Sequence, residues 1–181
     1  QETMAKADLS EYEIVVVDDG SDDQTSAVAK EAGATVIKNA HNIGYGFALK
    51  KGIAAAKFDT IVITDADGTY PIEKIPFFLE EYAKGYDLVV GQRTGRHYRE
   101  SAIKFPLRNI LKWLVEFTVG RIVPDVNSGL RVFSKKYVTT IFPRLSNKFS
   151  FTTSQTLVYM LNMKYVHYTT IDYAARIGKT K

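Results

Sequence analysis

The chain has 181 residues, of which 45% are hydrophobic and 24% are charged, a composition typical of one globular domain with a sizeable core. It has no cysteine, which excludes disulfides and thiolate metal sites, and its three histidines lack metal-ligand spacing, which argues against a zinc site. The net charge of +4 favours an anionic partner, such as a nucleotide, a lipid phosphate or a membrane surface.

The first predicted strand is the apolar run Ile14-Val15-Val16-Val17, which is too short for a helix and is followed by turn residues. Ser21 and Gln24 form a capping-box pattern, which predicts a helix that begins there and ends near Ala32. Gly33 suits the left-handed residue that commonly ends a helix.

Four aspartates surround the start of this helix. Asp22 and Asp23 lie near its positive end, so we assign them a structural role. Asp18 and Asp19 have no such role in the sequence, and they follow directly on a strand. In open α/β sheets, ligands bind at the carboxyl ends of strands. We therefore expect Asp18 and Asp19 to contact a ribose hydroxyl or a base edge.

A second strand is predicted at Thr35-Val36-Ile37, and a helix is predicted from Phe47 to Lys57. Gly44 and Gly46 lie in the loop between them and match only half of a dinucleotide-binding fingerprint, which is weak evidence. A third strand follows, so the order is strand, helix, strand, helix, strand. This order predicts a mostly parallel α/β sheet.

The third strand ends in the most informative stretch of the chain, which runs from Thr60 to Gly68 and contains Asp65-Ala66-Asp67. Side chains alternate along an extended chain, so Asp65 and Asp67 can point the same way. Two such carboxylates suit a hard divalent cation that also holds phosphate oxygens. The alternative is an acidic turn that simply closes a buried strand.

The next predicted elements are a helix from Pro71 to Lys84, a buried strand from Asp87 to Gly91, and Arg93 just beyond it. A basic loop then runs to Lys104 and contains Arg96, His97 and Arg99. Such a loop is usually solvated surface, but beside a phosphate site it is also a candidate for anion binding.

The most apolar predicted helix runs from Leu107 to Val123, with basic residues at its ends and within it. It is too short and too charged to span a bilayer. It either packs in the core or lies in a membrane interface with Trp113 at headgroup level. The residues by themselves favour the core.

The last third of the chain begins with a turn at Asp125-Val126-Asn127-Ser128-Gly129 and a half-buried alternating strand at Leu130-Arg131-Val132-Phe133. The predicted elements that follow are a helix over 137–145 that Pro143 interrupts, an apolar helix over 149–163, an edge or antiparallel strand over 165–173, and a basic tail over 176–181.

Four motifs stand in order: Asp18-Asp19-Gly20-Ser21, Asp65-Ala66-Asp67, Asn127-Ser128-Gly129-Leu130-Arg131, and Arg176-Ile177-Gly178-Lys179-Thr180-Lys181. As an ordered set they resemble the family 2 glycosyltransferases, in the branch of dolichyl-phosphate mannose synthases and polyprenyl-phosphate glycosyltransferases. The resemblance covers nearly the whole chain. It implies one GT-A domain over 1–181, with a mostly parallel Rossmann-like sheet flanked by helices and a small antiparallel element near the C-terminus.

The resemblance implies a role for each matching position. Asp65 and Asp67 would hold Mg²⁺ or Mn²⁺ against the donor diphosphate, with Asp67 the more direct ligand. The implied donor-nucleotide contacts are Asp18, Asp19, Ser21, Asp65 and Ala66. Ser128 and Gly129 match the motif near the donor sugar and the acceptor phosphate. The implied acceptor-phosphate contacts are Arg93, Ser128, Arg131, Arg176 and Lys181, and the implied catalytic residues are Asp67, Arg93, Ser128 and Arg176.

The chain departs from the branch in three ways. Branch members usually open with a central strand of the form V-x-I-P-x-Y-N-E, so we expect the native start to be missing here. Thr69 stands where the branch usually has a glutamine, which leaves a third side-chain metal ligand in doubt. Relatives often continue past the basic tail, sometimes into transmembrane helices, so anchoring segments outside this chain stay open.

The implied activity is inverting transfer of a hexose from a nucleotide-sugar donor to a polyprenyl phosphate at the cytoplasmic face of a membrane. The implied partners are the donor, the lipid phosphate and the membrane surface, against which the helix at Leu107 would lie, and not nucleic acid. The donor stays open among GDP-mannose, UDP-glucose and UDP-N-acetylhexosamine. Two alternatives also stay open: a sugar nucleotidyltransferase and a non-catalytic sugar-nucleotide-binding or membrane-binding module.

Overall fold

The computed structural model describes residues 11–95 and 105–175, with side chains described from residue 109 onward in the second range. The first half alternates strands and helices as predicted. Its elements are β1 (Val15–Asp18), α1 (Thr25–Glu31), β2 (Thr35–Lys38), α2 (Tyr45–Ala55) and β3 (Thr60–Ile63).

The second half continues the alternation and inserts two short 3₁₀ turns, at Ile72–Lys74 and Phe142–Arg144. Pro143 lies in the second turn, where it ends the predicted helix over 137–145 as expected. The remaining elements are α3 (Ile75–Ala83), β4 (Leu88–Thr94), α4 (Phe105–Val119), β5 (Arg131–Ser134), α5 (Lys135–Thr140), α6 (Phe151–Leu161) and β6 (Val166–Asp172).

The start of α1 differs from the prediction. The helix begins at Thr25 rather than at Ser21, and its first residue is preceded by Gln24, whose side chain makes no capping hydrogen bond. Instead, the carboxylate of Asp23 accepts the Thr25 N–H at 3.0 Å. The structural role assigned to Asp23 is thus confirmed, whereas the capping box is wrong. Gly33 has the expected left-handed backbone, with φ +83°.

The described strands form two hydrogen-bonded sheets. β1 and β2 pair in parallel, with Val16 opposite Val36. The other four strands have the order β3-β5-β4-β6, in which β5 is antiparallel to both neighbours and β6 is parallel to β4. β3, β4 and β6 therefore run in one direction and only β5 is reversed.

One detail of this sheet corrects the sequence prediction. The strand at Arg131 was expected to be half-buried, but three of the four residues of β5 are buried because it lies between β3 and β4. The strand over 165–173 was expected to be an edge or antiparallel strand, and β6 is an edge strand, parallel to its neighbour β4. In the part of the chain that the structure describes, neither β1 nor β3 pairs with a further strand. The additional N-terminal strand implied by the resemblance stays a prediction.

Both faces of the four-stranded sheet are covered by apolar residues. Successive strand residues alternate between faces, so Leu88 joins one core and Val89 the other. The first core includes Phe133, Ile53 from α2 and Tyr159 from α6. The second core packs α3 on the opposite face, and its members include Phe78, Val132, Ile171 and Tyr70. The sheet is therefore held between helical layers, which fixes the strand ends that carry the polar motifs.

α4 is the apolar helix predicted from Leu107 to Val123, and its orientation corrects the expectation that it packs in the core. Val115 is buried, but Ile110, Trp113, Leu114 and Phe117 are between 47% and 76% exposed. These four residues recur at intervals of three and four, so they form one outward stripe on the helix. Among the helices of the described residues, none is both long and apolar enough to cross a bilayer.

Candidate active site

The end of β3 places Asp65 and Asp67 at the surface, where both are partly exposed and Ala66 between them is exposed. Tyr45, the first residue of α2, donates its hydroxyl to Asp65 Oδ1 at 3.2 Å. Burial and the charge of Asp65 raise the pKa of Tyr45 well above its ordinary value. Tyr45 therefore stays a neutral hydrogen-bond donor that orients the Asp65 carboxylate.

Asp67 is held within its own turn. Its Oδ1 accepts the hydroxyl of Thr69 at 2.5 Å and the Thr69 N–H at 3.2 Å. Thr69 is only 1% exposed, so its side chain supports the Asp67 carboxylate from the protein side. The described residues contain no cluster of three or more His, Cys, Asp or Glu side chains suited to a metal.

The turn after Asp125 packs directly against Asp65. Gly129 donates its backbone N–H to the hydroxyl of Tyr70 at 2.6 Å. A Cβ at Gly129 would lie 2.9 Å from Asp65 Oδ2, closer than real contacts allow, so only glycine fits here without a shift. Two adjacent carboxylates with hard oxygen donors, next to a backbone without a side chain, fit a divalent cation.

Arg93 lies where β4 ends and is oriented by Asp125. Its Nε is 2.8 Å from Asp125 Oδ2, its NH2 group is 2.9 Å from Oδ1, and its backbone N–H also donates to Oδ2. The ring of Tyr173 lies 5.4 Å from the guanidinium. A bidentate contact between two largely buried groups fixes the Arg93 side chain in one direction.

Asp125 and α6 together fix the turn that follows. Asp125 Oδ1 accepts the Asn127 N–H at 3.1 Å, and Asn127 Oδ1 accepts the hydroxyl of Thr152 at 2.5 Å. Ser128 is 0% exposed, so its hydroxyl is shielded from solvent in this arrangement. The direct contact of Ser128 with the acceptor phosphate that the resemblance implies stays a prediction.

Arg131 is corrected from an acceptor contact to a structural residue. It is 0% exposed, and its guanidinium donates to Ser128 O at 2.7 Å, to Thr156 Oγ1 at 2.9 Å and to Val126 O at 3.2 Å. Burial lowers the pKa of Arg131 from its ordinary value. Because all of these partners are protein groups, Arg131 holds the turn 126–128 from beneath instead of facing a ligand.

Asp18 also has a structural role that the sequence did not indicate. Its carboxylate accepts the hydroxyl of Ser26 and the N–H of Ser21, the latter at 2.8 Å. These hydrogen bonds, together with Lys38, hold the pKa of Asp18 below its ordinary value. Asp18 is 1% exposed, so its carboxylate mainly shapes the loop that contains Ser21.

Asp19 connects this loop to the start of α2. It accepts hydrogen bonds from Asn39 Nδ2 at 2.8 Å, Ile43 N at 3.0 Å and Gly44 N at 2.9 Å. Burial alone would raise the pKa of Asp19, but these hydrogen bonds outweigh it and the net pKa is lowered. Because Gly44 precedes Tyr45, whose hydroxyl binds Asp65, the structure brings the two acidic motifs to one side of the fold.

Several predicted site residues lie outside the described residues, namely Arg176, Lys181, and the basic-loop residues Arg96, His97 and Arg99. The chain that leads to the basic tail nevertheless reaches the site, because Ala174 N–H donates to Thr69 O at 3.0 Å. A cavity of about 340 Å³ opens beside this contact. Its lining includes Gly68, Thr69, Pro71, Lys74, Asp172 and Ala174.

Sequence reasoning missed three residues that organise this site: Tyr45, Tyr70 and Asp125. Each contacts a predicted site residue that is distant along the chain, so no local pattern marks it. Asp125 was seen only as part of a turn, and both tyrosines lie next to helix starts. A bulky aromatic residue beside a carboxylate motif is a weak signal in a sequence.

Comparison with known proteins gives a consistent result. The sequence model of Glycosyl transferase family 2 matches residues 2–142. A dolichyl-phosphate hexose transferase of Haloferax volcanii is 35% identical over 128 residues, which cover 70% of this chain and 56% of the relative. An undecaprenyl-phosphate 4-deoxy-4-formamido-L-arabinose transferase of Pseudomonas fluorescens is 31% identical over 165 residues, which cover 82% of this chain and 48% of the relative. The chain thus spans about half the length of these relatives.

Solved structures give the same fold. Glucosyl-3-phosphoglycerate synthase from Mycobacterium tuberculosis, in complex with Mn²⁺, UDP-glucose and phosphoglyceric acid, has a TM-score of 0.77 at 19% sequence identity. The match covers 99% of this chain and 67% of that one. At this identity the likeness concerns the fold alone. It confirms the GT-A architecture predicted from the ordered motifs.

Proposed function

The chain belongs to Glycosyl transferase family 2, and on this basis we propose that it carries the donor-binding and catalytic part of an inverting hexosyltransferase that acts on a polyprenyl phosphate. The observation that carries the proposal is the packing of the turn at Gly129 against Asp65. It brings the Asp65-Ala66-Asp67 motif and the Ser-Gly motif of the resemblance together in one place. The names of the two relatives support a polyprenyl phosphate as the acceptor.

The donor would lie along the side of the fold that carries both acidic motifs. Asp19 and Asp65 are linked through Gly44 and Tyr45, so a nucleoside near Asp18 and Asp19 could extend its diphosphate towards Asp65. Donors of the GDP-mannose and UDP-glucose types both fit this proposal. The M. tuberculosis structure of the same fold is a complex with Mn²⁺ and UDP-glucose, which supports a nucleotide-sugar donor but not the choice of base.

Asp65 and Asp67 are the proposed ligands of Mg²⁺ or Mn²⁺, which would neutralise the charge that develops on the departing nucleoside diphosphate. Thr69 and Tyr45 hold these carboxylates in place by hydrogen bonds. The basic tail with Arg176 and Lys181 is the proposed second source of positive charge. Such preorganised charge lowers the barrier most where negative charge grows.

On the acceptor side, Arg93 is the proposed phosphate contact, because Asp125 and Tyr173 fix its direction at the end of β4. A lipid phosphate is already an anion near neutral pH, so its oxygen can attack without a dedicated general base. The phosphate oxygen forms a bond to the anomeric carbon as the bond to the nucleoside diphosphate breaks. Attack from the opposite face inverts the configuration of the sugar.

The outward stripe of α4 is the proposed contact with the membrane that holds the acceptor. Ile110, Trp113, Leu114 and Phe117 are exposed on one face. The basic residues Arg108 and Lys112 lie within the helix sequence, and Arg121 follows it. An amphipathic helix of this kind lies in the interface with its apolar face in the acyl boundary. We propose that the reaction takes place at a membrane surface, on the cytoplasmic face that the resemblance implies.

The test is a panel of GDP-mannose, UDP-glucose and UDP-N-acetylglucosamine, each incubated with a short polyprenyl phosphate and Mg²⁺ or Mn²⁺. We expect one donor to give equimolar glycolipid and nucleoside diphosphate. Release of inorganic diphosphate would instead identify a nucleotidyltransferase. Donor binding without any turnover would identify a binding module. Asp22 is an exposed aspartate. Asp22→Asn removes the same charge as Asp67→Asn and is its control in the same assay.

A further inference from the structure

Tyr70 lies at the centre of the candidate site, although neither its motif nor its position marks it as functional. It is 6% exposed and belongs to the core that packs α3 against the sheet. Its hydroxyl, however, accepts the backbone N–H of Gly129 at 2.6 Å across a sequence separation of 59 residues. The phenol therefore connects the segment after the metal motif to the Ser-Gly turn.

The Tyr70 hydroxyl lies next to the carboxylate that is the proposed metal ligand. A Cβ placed on Gly129 would lie 2.9 Å from Asp65 Oδ2 and 3.2 Å from the Tyr70 hydroxyl. The Asp65 carboxylate and the phenol thus face the same point of the turn. Burial raises the pKa of Tyr70, so the hydroxyl stays protonated near neutral pH.

The ring of Tyr70 extends the connection to the acceptor side. It packs edge-on against the ring of Tyr173, with centroids 5.3 Å apart and an angle of 75°. Tyr173 in turn lies under the guanidinium of Arg93 at 5.4 Å. Tyr70 therefore contacts both the Ser-Gly turn and the aromatic ring that supports Arg93.

We propose that Tyr70 is a positioning residue that fixes the separation between the Asp65 carboxylate, the proposed metal ligand on the donor side, and Arg93, the proposed contact of the acceptor phosphate. The proposal rests on the proposed function, since it concerns the alignment of donor and acceptor for in-line attack. Misplacement by about 1 Å can cost on the order of 100-fold in rate when attack depends on alignment. The Tyr70 hydroxyl would thus act on the rate of transfer rather than on donor binding.

The test compares Tyr70→Phe with Tyr159→Phe. Tyr159 is also a buried tyrosine, and its hydroxyl lies in the core with no hydrogen-bond partner among the described residues. Both changes remove one buried hydroxyl, but only Tyr70→Phe frees the Gly129 N–H. We expect Tyr70→Phe to lower kcat at least about 10-fold, with the KM for donor and the affinity for Mn²⁺ within about 3-fold of the parent. Tyr159→Phe should leave kcat within about 2-fold.

Thermal unfolding is measured for both variants, and the assays are run well below their unfolding midpoints. A loss of kcat then reflects the position of the reacting groups and not loss of the fold. Should Tyr70→Phe not fold, Tyr173→Leu weakens the same connection from its other side and is expected to lower kcat in the same way. An unchanged kcat in a folded Tyr70→Phe variant, or an equal loss in Tyr159→Phe, overturns the proposal. If Asp67→Asn also retains transfer, the proposed function has failed; if Asp67→Asn is inactive, only the role of Tyr70 has failed.

Discussion

The guanidinium of Arg93 and the carboxylate of Asp125 form a two-point ion pair, with Nε 2.8 Å from Oδ2 and NH2 2.9 Å from Oδ1. Their side chains are 14% and 1% exposed, respectively. The same carboxylate binds the N–H of Asn127. One buried acid thus fixes both the end of β4 and the turn that reaches Asp65.

The first prediction concerns this pair. Asp125→Ala should lower the free energy of unfolding by about 3–5 kcal/mol, because it removes the carboxylate that makes a two-point ion pair with a largely buried guanidinium. Urea denaturation measures the change. Lys112→Ala is the control, since it removes the more exposed pair with Glu116 at 3.7 Å and should cost less than about 1 kcal/mol. Equal stability of the two variants would contradict the assigned importance of the buried pair.

The second prediction concerns the carboxylates at the end of β3. Asp67→Asn should lower transfer about 100-fold or more and weaken Mn²⁺ binding, because a neutral amide is a poorer ligand for a hard cation. Titration calorimetry with Mn²⁺ in the presence of nucleoside diphosphate provides a readout that does not depend on turnover. The fold should persist, since Asp67 is partly exposed. Full transfer by this variant in the presence of a chelator would remove the metal role.

The third prediction uses the close approach at Gly129. Gly129→Ala should weaken Mn²⁺ binding and slow transfer, because the added Cβ would lie 2.9 Å from Asp65 Oδ2. Gly52→Ala is the matched control in α2, where the added Cβ would meet Val17 at the same distance. Both variants should lose stability through crowding, but only Gly129→Ala should alter Mn²⁺ affinity. Identical Mn²⁺ affinities in the two variants would show that Gly129 does not limit the site.

The fourth prediction concerns acid stability. Hydrogen bonds from Ser26 and Ser21 lower the pKa of Asp18 from 3.8, so the ionised form stabilises the folded state above that pH. This contribution is lost as the pH falls through the lower folded pKa. Asp18→Asn should therefore be less stable than the parent near pH 7, and the difference should shrink below about pH 4. Urea denaturation from pH 7 to pH 3 measures the difference in unfolding free energy between the parent and Asp18→Asn, with Asp22→Asn as control. A difference that stays constant over this pH range would contradict a stabilising role for the ionised Asp18 carboxylate.

The fifth prediction concerns the outward stripe of α4. Replacing either Trp113 or Phe117 by serine, each in a single variant, should reduce binding to vesicles of phosphatidylcholine and phosphatidylglycerol about 10-fold or more, since each large apolar side chain contributes about 1.5–3 kcal/mol on burial. Stability should hardly change, because the two residues are 61% and 76% exposed. Leu161→Ser, on α6 at 56% exposure, is the control. If all three single variants bind vesicles equally, the stripe is not the contact surface.

Much of the local structure could be predicted from the sequence. Short apolar runs ending in aspartates indicated strands whose carboxyl ends carry the site, and Asp65-Ala66-Asp67 lies at such an end. Gly33 and Pro143 ended helices as their backbone preferences require. The ordered motifs identified the GT-A fold. These features depend on residues within a few positions of each other, so periodicity and backbone preference are sufficient to reveal them.

Tertiary structure alone decided which polar residues face a ligand and which hold the protein together. Arg131 stood in a motif that implied an acceptor contact, yet packing of β5 between β3 and β4 buries it completely. In α4, the face that carries Val115 packs into the protein, and the apolar stripe on the opposite face is therefore exposed. Tyr70 and Gly129 meet across 59 residues, and Arg93 and Asp125 across 32. Such contacts depend on how whole elements pack, and a local sequence pattern carries no information about that packing.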